Sequence, residues 1–276
     1  MVEELQQLVW CGEDVVLLVY ERSILMVTPS GPMHVKEAVK PGIYCFPEVD
    51  GVRIFTHQEC SFFENVQAHL VAALSIASIE PSASLIDAYR SYRKHEPSAD
   101  DDITKIEGDL HRAVIELVKA AGEIFETELR NFLLQAGGFG KKFVAHFEEF
   151  STEEYMKTVH FIRVLHSIRE NKKMPLALTF RQLERMKPKG LVKKLMKMNQ
   201  HYLASQVSKY LNLRSEKVAE DWACRVLKYS LEESDFDLKK RVVKKLGKFE
   251  NINYIKITEH ALQVGRSDVA YALIEK

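Results

Sequence analysis

The sequence lacks the features that mark a secreted, disulfide-linked or membrane-spanning chain. Its 276 residues include four cysteines, and no two of them form a C-x-x-C pair. Disulfide frameworks belong mainly to short secreted domains, so free thiols in a reducing cytosol are expected. No apolar run approaches the roughly 18 residues that a spanning helix needs, and the N-terminus has no basic segment followed by an apolar one. These absences predict a soluble, cytosolic protein.

An excess of charge of either sign is also lacking. Lys and Arg together number 39, as do Asp and Glu, so the formal net charge is zero. The total therefore gives no argument for binding nucleic acid or a membrane. The distribution is uneven, because residues 96–109 contain six acidic residues against one basic residue, and residues 181–217 contain ten basic residues against two acidic ones. Any electrostatic function must therefore be local.

Residues 1–66 are predicted to form a short antiparallel β segment. They break into apolar stretches of four to seven residues, rich in Val, Ile, Tyr and Phe, between turns of Gly, Pro and Asp. Asp50-Gly51 between two such stretches indicates a hairpin, and about six strands are expected. A propeller blade takes four strands in roughly 40–45 residues, so the segment supplies about one and a half blades. It is either a small sheet of its own or the tail of an upstream β-propeller, and the second interpretation is favoured.

Helical hairpins are predicted for the rest of the chain. In residues 109–147, one helix carries an apolar stripe at helical spacing, and a second helix is expected to end at Gly137-Gly138 before a third begins. The first stripe comprises Ala113, Val114, Leu117, Val118 and Ala121. Neither helix can bury its stripe alone, so an antiparallel pair is expected. A break is expected at Lys187-Pro188, and Gly265 is expected to divide the last hairpin.

Similar hairpins recur with a loose period of about 30–40 residues. The predicted fold class is therefore mainly α, an α-solenoid of degenerate helical hairpins at residues 103–276 preceded by the partial β-propeller at residues 1–66. Residues 67–102 are predicted to hold connecting helices and, at 96–102, an acidic loop.

No catalytic, metal or cofactor site is predicted. Residues 137–142 (GGFGKK) depart from a phosphate loop at Gln135 and Lys142 and follow a helix, so a helix-ending turn is expected. The run from Asp100 to Asp102 lacks the Gly and Glu of a calcium loop. His160 and His166 are six residues apart and face different sides of one helix. Nothing pairs a nucleophile with a base, so an enzyme is not expected.

Two basic groups are the candidate binding residues, because their cations are predicted to lie opposite apolar stripes. They comprise Lys189, Lys193, Lys194 and Lys197 in the first group, and Lys239, Lys240, Arg241 and Lys244 in the second. Four interpretations stay open: a solvated face, a docking face for an acidic partner, a contact with anionic lipid headgroups, or a contact with nucleic acid. Few aromatic residues interleave these cations, which argues against single-stranded nucleic acid.

Several stretches, in the same order over nearly the whole chain, carry a family resemblance. They are residues 10–12 (WCG), 48–54 (EVDGVRI), 85–88 (LIDA), the spaced block 113–143, 163–169 (RVLHSIR), 222–224 (WAC) and 265–268 (GRSD). Together they resemble the vacuolar-sorting protein sixteen family, the shared subunit of the HOPS and CORVET tethering complexes.

This resemblance implies the end of a β-propeller followed by the first part of an α-solenoid. It implies a non-catalytic scaffold, without a cofactor, that helps to dock endosomes, vacuoles or lysosomes before membrane fusion. Its partners would be other tethering subunits, among them a Sec1/Munc18-type subunit whose contact region is expected beyond residue 276. Membrane association would be peripheral and through the complex. The alternatives are a helical-repeat nucleic-acid binder and a clathrin-like coat component.

Overall fold

The computed structural model describes residues 4–12, 14–37, 41–144, 152–171, 174–230 and 233–274. The predicted fold class is confirmed, because an N-terminal β segment precedes twelve described α-helices. The chain divides into two compact units, Met1–Val159 and His160–Lys276. The predicted domain boundaries near residues 66 and 102 stay predictions.

The strands form two antiparallel sheets. Seven strands are described, where about six were predicted. The first sheet has the order β1-β2-β3-β4 and the second the order β5-β6-β7. Their bounds are β1 Gln7–Cys11, β2 Val15–Val19, β3 Ser23–Thr28, β4 Gly31–Glu37, β5 Tyr44–Pro47, β6 Gly51–Phe55 and β7 Cys60–Glu64.

The first sheet is apolar on both faces. One face packs with the second sheet into a common core, formed by Val9, Cys11, Leu17, Val19, Ile24, Ile43, Cys45, Val52 and Ile54. Strand alternation places another apolar set on the opposite face, namely Leu8, Trp10, Val16, Leu18, Leu25 and Val27. A sheet that faces water on one side normally alternates apolar with polar residues. Two apolar faces fit a propeller blade, which has a neighbour on each side.

Helices α1 to α5 complete the first unit, and α6 begins in it. Their bounds are α1 Ala68–Leu74, α2 Pro81–Arg93, α3 Ser98–Lys105, α4 Leu110–Glu123, α5 Thr127–Gly140 and α6 Thr152–Arg169. The predicted stripe of α4 is buried, and α4 forms the predicted hairpin with α5. Residues 145–147, where a third helix was predicted to begin, lie outside the described residues.

The predicted helix stop at Gly137-Gly138 is wrong. Helix α5 continues to Gly140, where φ is −57°, an ordinary right-handed value. The glycines serve close packing, because a Cβ added at Gly137 would lie 3.1 Å from Val118 Cγ2 and one at Gly140 would lie 2.7 Å from Leu85 Cδ2. A side chain at either position would press against the neighbouring helix.

The predicted acidic loop is also wrong over most of its length, because residues 98–105 form helix α3. Ala99 and Ile103, four residues apart, are buried on its inner side. Asp100 and Asp101 lie in its first turn, where the helix dipole favours negative charge. The run of acids therefore begins a helix, and two small apolar contacts hold that helix in place.

The second unit contains the last part of α6 and six further helices. These are α7 Phe180–Lys197, α8 His201–Tyr210, α9 Glu216–Tyr229, α10 Asp235–Leu246, α11 Tyr254–Gln263 and α12 Ser267–Ile274. Helices α9 to α12 share one core, which contains Ala219, Ala223, Leu227, Leu238, Val242, Leu246, Ile257, Ala261, Val269, Ala270 and Leu273. Four alanines among these residues allow close helix contacts.

Arg266, directly before α12, contacts the end of α9 and the start of α10. It follows Gly265, whose φ of +82° makes the predicted turn between α11 and α12. Its guanidinium donates to the carbonyl oxygen of Ser230 at 2.7 Å and pairs with the carboxylate of Asp235. One side chain thus donates to the carbonyl oxygen at the C-terminal end of α9 and pairs with the carboxylate of the first residue of α10.

The Gly140→Ala substitution should lower the free energy of unfolding by about 1–3 kcal/mol, because the new methyl group overpacks the contact with Leu85 and Val114. Gly138→Ala is the matched control in the same helix. Its Cβ would meet nothing nearer than the Tyr155 hydroxyl at 3.8 Å. It should be neutral or stabilising by up to about 1 kcal/mol, since alanine favours the helix. Urea unfolding followed by circular dichroism measures both, and equal effects would contradict this packing.

Thiol labelling should separate the cysteines. Cys11 and Cys45 lie in the core between the sheets, whereas Cys60 is exposed. Burial raises the pKa of the Cys45 thiol to about 11, and burial followed by the charges of Glu64 and Asp50 raises the pKa of Cys11. A raised pKa leaves little of the reactive thiolate at about pH 8.

Cys60 should therefore react fast with iodoacetamide in the native protein, and Cys11 and Cys45 should react only after unfolding. Mass spectrometry of the labelled peptides measures each rate, and Cys60→Ser should remove the fast phase. Fast native labelling of Cys45 would contradict the two-sheet core.

Candidate protein-interaction surface

Helix α7 positions the first basic group. Thr179 begins it with a capping box, in which Gln182 N donates to Thr179 Oγ1 at 3.1 Å and the Gln182 side chain accepts from Thr179 N. The predicted break is confirmed, because Lys187 has φ 61° and ψ 155° and divides the helix before Pro188. The buried side of the helix consists of Phe180, Leu183, Leu191, Val192 and Leu195.

The four lysines of this group are exposed as predicted. Lys189, Lys193 and Lys197 follow one another at a spacing of four, so they form a row along the helix, with Lys194 beside it. Within the described part of the chain, none of the four forms an ion pair with a carboxylate.

Helix α10 positions the second basic group. Its first turn is capped by Ser234, whose hydroxyl accepts from Asp237 N at 3.2 Å. Leu238, Val242 and Leu246 form the buried side at a spacing of four. Lys239, Lys240, Arg241 and Lys244 are exposed, as predicted.

Arg241 differs from the lysines of its group. Its Nη2 lies 2.7 Å from Glu233 Oε2 and donates to Ser230 Oγ at 3.1 Å. The neighbouring Lys245 also has a local contact, since its Nζ lies 3.7 Å from the centre of the Trp222 ring. Burial, followed by the charges of Arg241 and Lys248, lowers the pKa of Lys245. Lys239, Lys240 and Lys244, by contrast, form no ion pair with a carboxylate among the residues that the structure describes.

Helix α9 is the common neighbour of the two basic helices. The end of α7 reaches it through Asn199, which accepts from Arg225, and α8 reaches it through His201, whose Nε2 lies 2.7 Å from Asp221 Oδ2. Helix α10 packs on α9 through the Lys245–Trp222 contact. The two groups are thus borne by different helices of one unit.

A groove between α6 and α8 was not predicted from the sequence. It has a volume of about 500 Å³, and its floor consists of the buried residues Val164, Leu203 and Val207. Two cations, Arg163 and Lys209, stand at its rim, and no carboxylate among the described residues lines it. The lining comes from segments about 40 residues apart in sequence, so no local pattern could have revealed it.

The glycine-rich and histidine motifs noted in the sequence lie within helices α5 and α6. Gly137, Gly138 and Gly140 lie inside α5, so residues 137–142 do not form a phosphate loop. His166 Nδ1 lies 3.0 Å from Glu170 Oε1, and the ring of His160 contacts that of Tyr210. Within the described ranges, no group of three or more His, Cys, Asp or Glu side chains is arranged to hold a metal ion. None of the helices in those ranges has the length and apolarity needed to cross a bilayer.

Stacked antiparallel sheets followed by helical hairpins with exposed basic helices define a class of protein with propeller-like and solenoid-like parts. Comparison with known families identifies the family to which the chain belongs. The profile described as "Vps16, N-terminal region" matches residues 2–157, more than half of the chain. The chain therefore belongs to the Vps16 family.

Curated relatives match the chain beyond that region. It is 31% identical to Protein VACUOLELESS1 of Arabidopsis thaliana over 271 residues, which cover 98% of this chain and 31% of the relative. It is 28% identical to the vacuolar protein sorting-associated protein 16 homolog of Dictyostelium discoideum (96% and 32% covered), and 26% identical to the Saccharomyces cerevisiae protein (95% and 32%). The chain spans about a third of the length of these relatives.

Lys245 provides a test of the α10 environment. Arg241→Gln should raise the pKa of Lys245, because it removes one of the positive charges that disfavour the protonated amine. Lys256→Gln, an exposed lysine of α11, serves as the control and should leave Lys245 unchanged. An NMR titration of ¹³C-methylated lysines measures the effect. A Lys245 resonance that is insensitive to Arg241→Gln would contradict the charge arrangement on α10.

Proposed function

We propose that the chain acts as a non-catalytic scaffold segment of a membrane-tethering complex in vesicle traffic to the vacuole or lysosome. The observation that carries this proposal is the family match, together with relatives that are named for vacuolar protein sorting. The architecture supports it, because stacked helical hairpins offer long solvent-facing surfaces for binding other proteins.

The complex would be of the HOPS or CORVET type, and its other subunits would be the partners. The Sec1/Munc18-type subunit is proposed to bind further along the solenoid than residue 276. The chain would be cytoplasmic and would reach endosomal, vacuolar or lysosomal membranes peripherally, through the complex.

The basic groups on α7 and α10 are proposed to face acidic surfaces of partner subunits. The row formed by Lys189, Lys193 and Lys197 supports this, since three unpaired charges at helical spacing can meet a complementary row of carboxylates. Exposed pairs are individually weak, so the effect depends on several charges acting together.

Reversal of three charges tests this surface. A variant with Lys193→Glu, Lys194→Glu and Lys197→Glu should lose about tenfold or more of the tethering subunits recovered by co-precipitation, because attraction becomes repulsion. The control reverses three exposed lysines elsewhere in the same unit, Lys217→Glu, Lys228→Glu and Lys256→Glu. Quantitative mass spectrometry of tagged chains from native cells measures the recovery.

Each other outcome has a defined meaning. Equal recovery with both triple variants would make the α7 group a solvated face. Loss of flotation with anionic vesicles, at unchanged subunit recovery, would assign the lysines to lipid headgroups. Failure of the unaltered chain to recover any sorting subunit, combined with filter binding of RNA that falls steeply with salt, would favour the nucleic-acid alternative.

A further inference from the structure

The groove between α6 and α8 has an apolar floor that side chains of the same unit leave open. Val164, Leu203 and Val207 are buried by their neighbours, yet their outer atoms line a depression of about 500 Å³. This volume is within the range of about 300–1,000 Å³ that ligand sites occupy. It has room for a few large apolar side chains of an incoming segment.

The rim of the groove is built around an oriented cation. Arg163 is exposed, and its Nη1 donates to the hydroxyl of Tyr210 at 3.1 Å. The ring of Tyr210 also packs edge-on against His160, with 5.0 Å between ring centres. These contacts hold the guanidinium at the edge of the apolar floor while its other N–H groups remain available.

The charge of the rim is positive without compensation in the described residues. Lys209 is exposed and lines the groove together with Arg163, and neither forms an ion pair with a carboxylate in the described ranges. An arginine fork matches a carboxylate in shape as well as in charge. The groove therefore combines an apolar floor with a site for negative charge.

We propose that this groove binds a short acidic and apolar peptide segment of a partner protein. Leucine-sized side chains would cover Val164, Leu203 and Val207, and a neighbouring aspartate or glutamate would pair with Arg163 and Lys209. The inference rests on the proposed scaffold function and names the chemistry of one of its contacts. Charge complementarity at the rim selects the acidic segment, since an uncharged apolar segment would leave both cations unpaired.

The test begins with selection of a displayed random peptide library on the immobilised full chain, with counter-selection on the Arg163→Glu variant. Enriched peptides should combine large apolar residues with Asp or Glu. A synthetic copy of the best peptide, labelled with fluorescein, is then titrated by fluorescence anisotropy. Its affinity should fall about tenfold or more with Arg163→Glu, because pairing becomes repulsion, and less than about twofold with the Lys256→Glu control.

A second variant separates the groove from its charge. Ser167→Trp places a bulky ring over the groove from its exposed rim, leaves Arg163 and Lys209 in place, and should also abolish binding. Circular dichroism confirms that each variant is folded. Enrichment of no peptide, enrichment of basic peptides, or equal binding by Arg163→Glu and Lys256→Glu would overturn the proposal.

The scaffold function can fail independently. Retained recovery of tethering subunits by a chain that selects no peptide would overturn the groove proposal alone. Selection of acidic peptides by a chain that recovers no sorting subunit would overturn the scaffold function, and the groove would remain a peptide site of another system. Competition by anionic vesicles with an affinity that also depends on Arg163 would assign the rim to lipid and overturn the peptide proposal.

Discussion

The burial of helix α4 is the constraint on which the first unit depends. Nine of its fourteen residues are buried, and it packs against α1, α2 and α5. A stripe that wide cannot be covered by one neighbour, so the helix must lie at the centre of a group. Close approach is allowed by small residues on both sides, because Ala113 and Ala120 are fully buried on α4 and Gly140 faces it from α5.

The same constraint determines where charge can lie. Helices that bury a stripe of alanine, leucine and valine must direct their lysines to solvent, so exposure alone does not distinguish a binding group from a solvated face. Ion pairing with carboxylates of the same unit does distinguish one kind of cation from another. Arg241 and Arg266 are held by carboxylates of their own unit and stabilise helix ends, whereas Lys193 and Arg163 have no such carboxylate in the described residues. Unpaired cations next to apolar surface are the ones suited to a partner.

The sequence correctly predicted those structural features that depend only on neighbouring residues in the chain. The stripe of α4, the break at Lys187-Pro188 and the turn at Gly265 all follow from spacing or from backbone restrictions of single residues. The role of Gly137 and Gly138 was ambiguous in the sequence, because glycines can end a helix or allow a neighbouring helix to approach closely. Only the position of α4 decides between these two roles. The acidic run was misread because two buried residues, Ala99 and Ile103, are a weak pattern beside three aspartates.

The groove between α6 and α8 could not be predicted from sequence periodicity, because Arg163 and Tyr210 come into contact only after folding. What could be inferred was the family, from the order of several short stretches. The exposure of the basic groups also followed from the stripe opposite them. Which of those cations remain unpaired depended on residues such as Glu233 that no periodic pattern connects to Arg241.

The described surfaces are of two physical kinds, and they imply two kinds of contact. The outer face of the first sheet is apolar, and Trp10 on it is 58% exposed. Burial of such a face contributes about 25 cal/mol per Å² and is not weakened by electrostatic screening, as in permanent interfaces. The lysine rows and the groove rim instead act through exposed charge, which is screened within about 10 Å at 0.1 M salt. Contacts made there should form and break readily. The strands of this chain thus expose an apolar surface of the kind found in permanent interfaces, and its helices expose charge of the kind found in reversible ones.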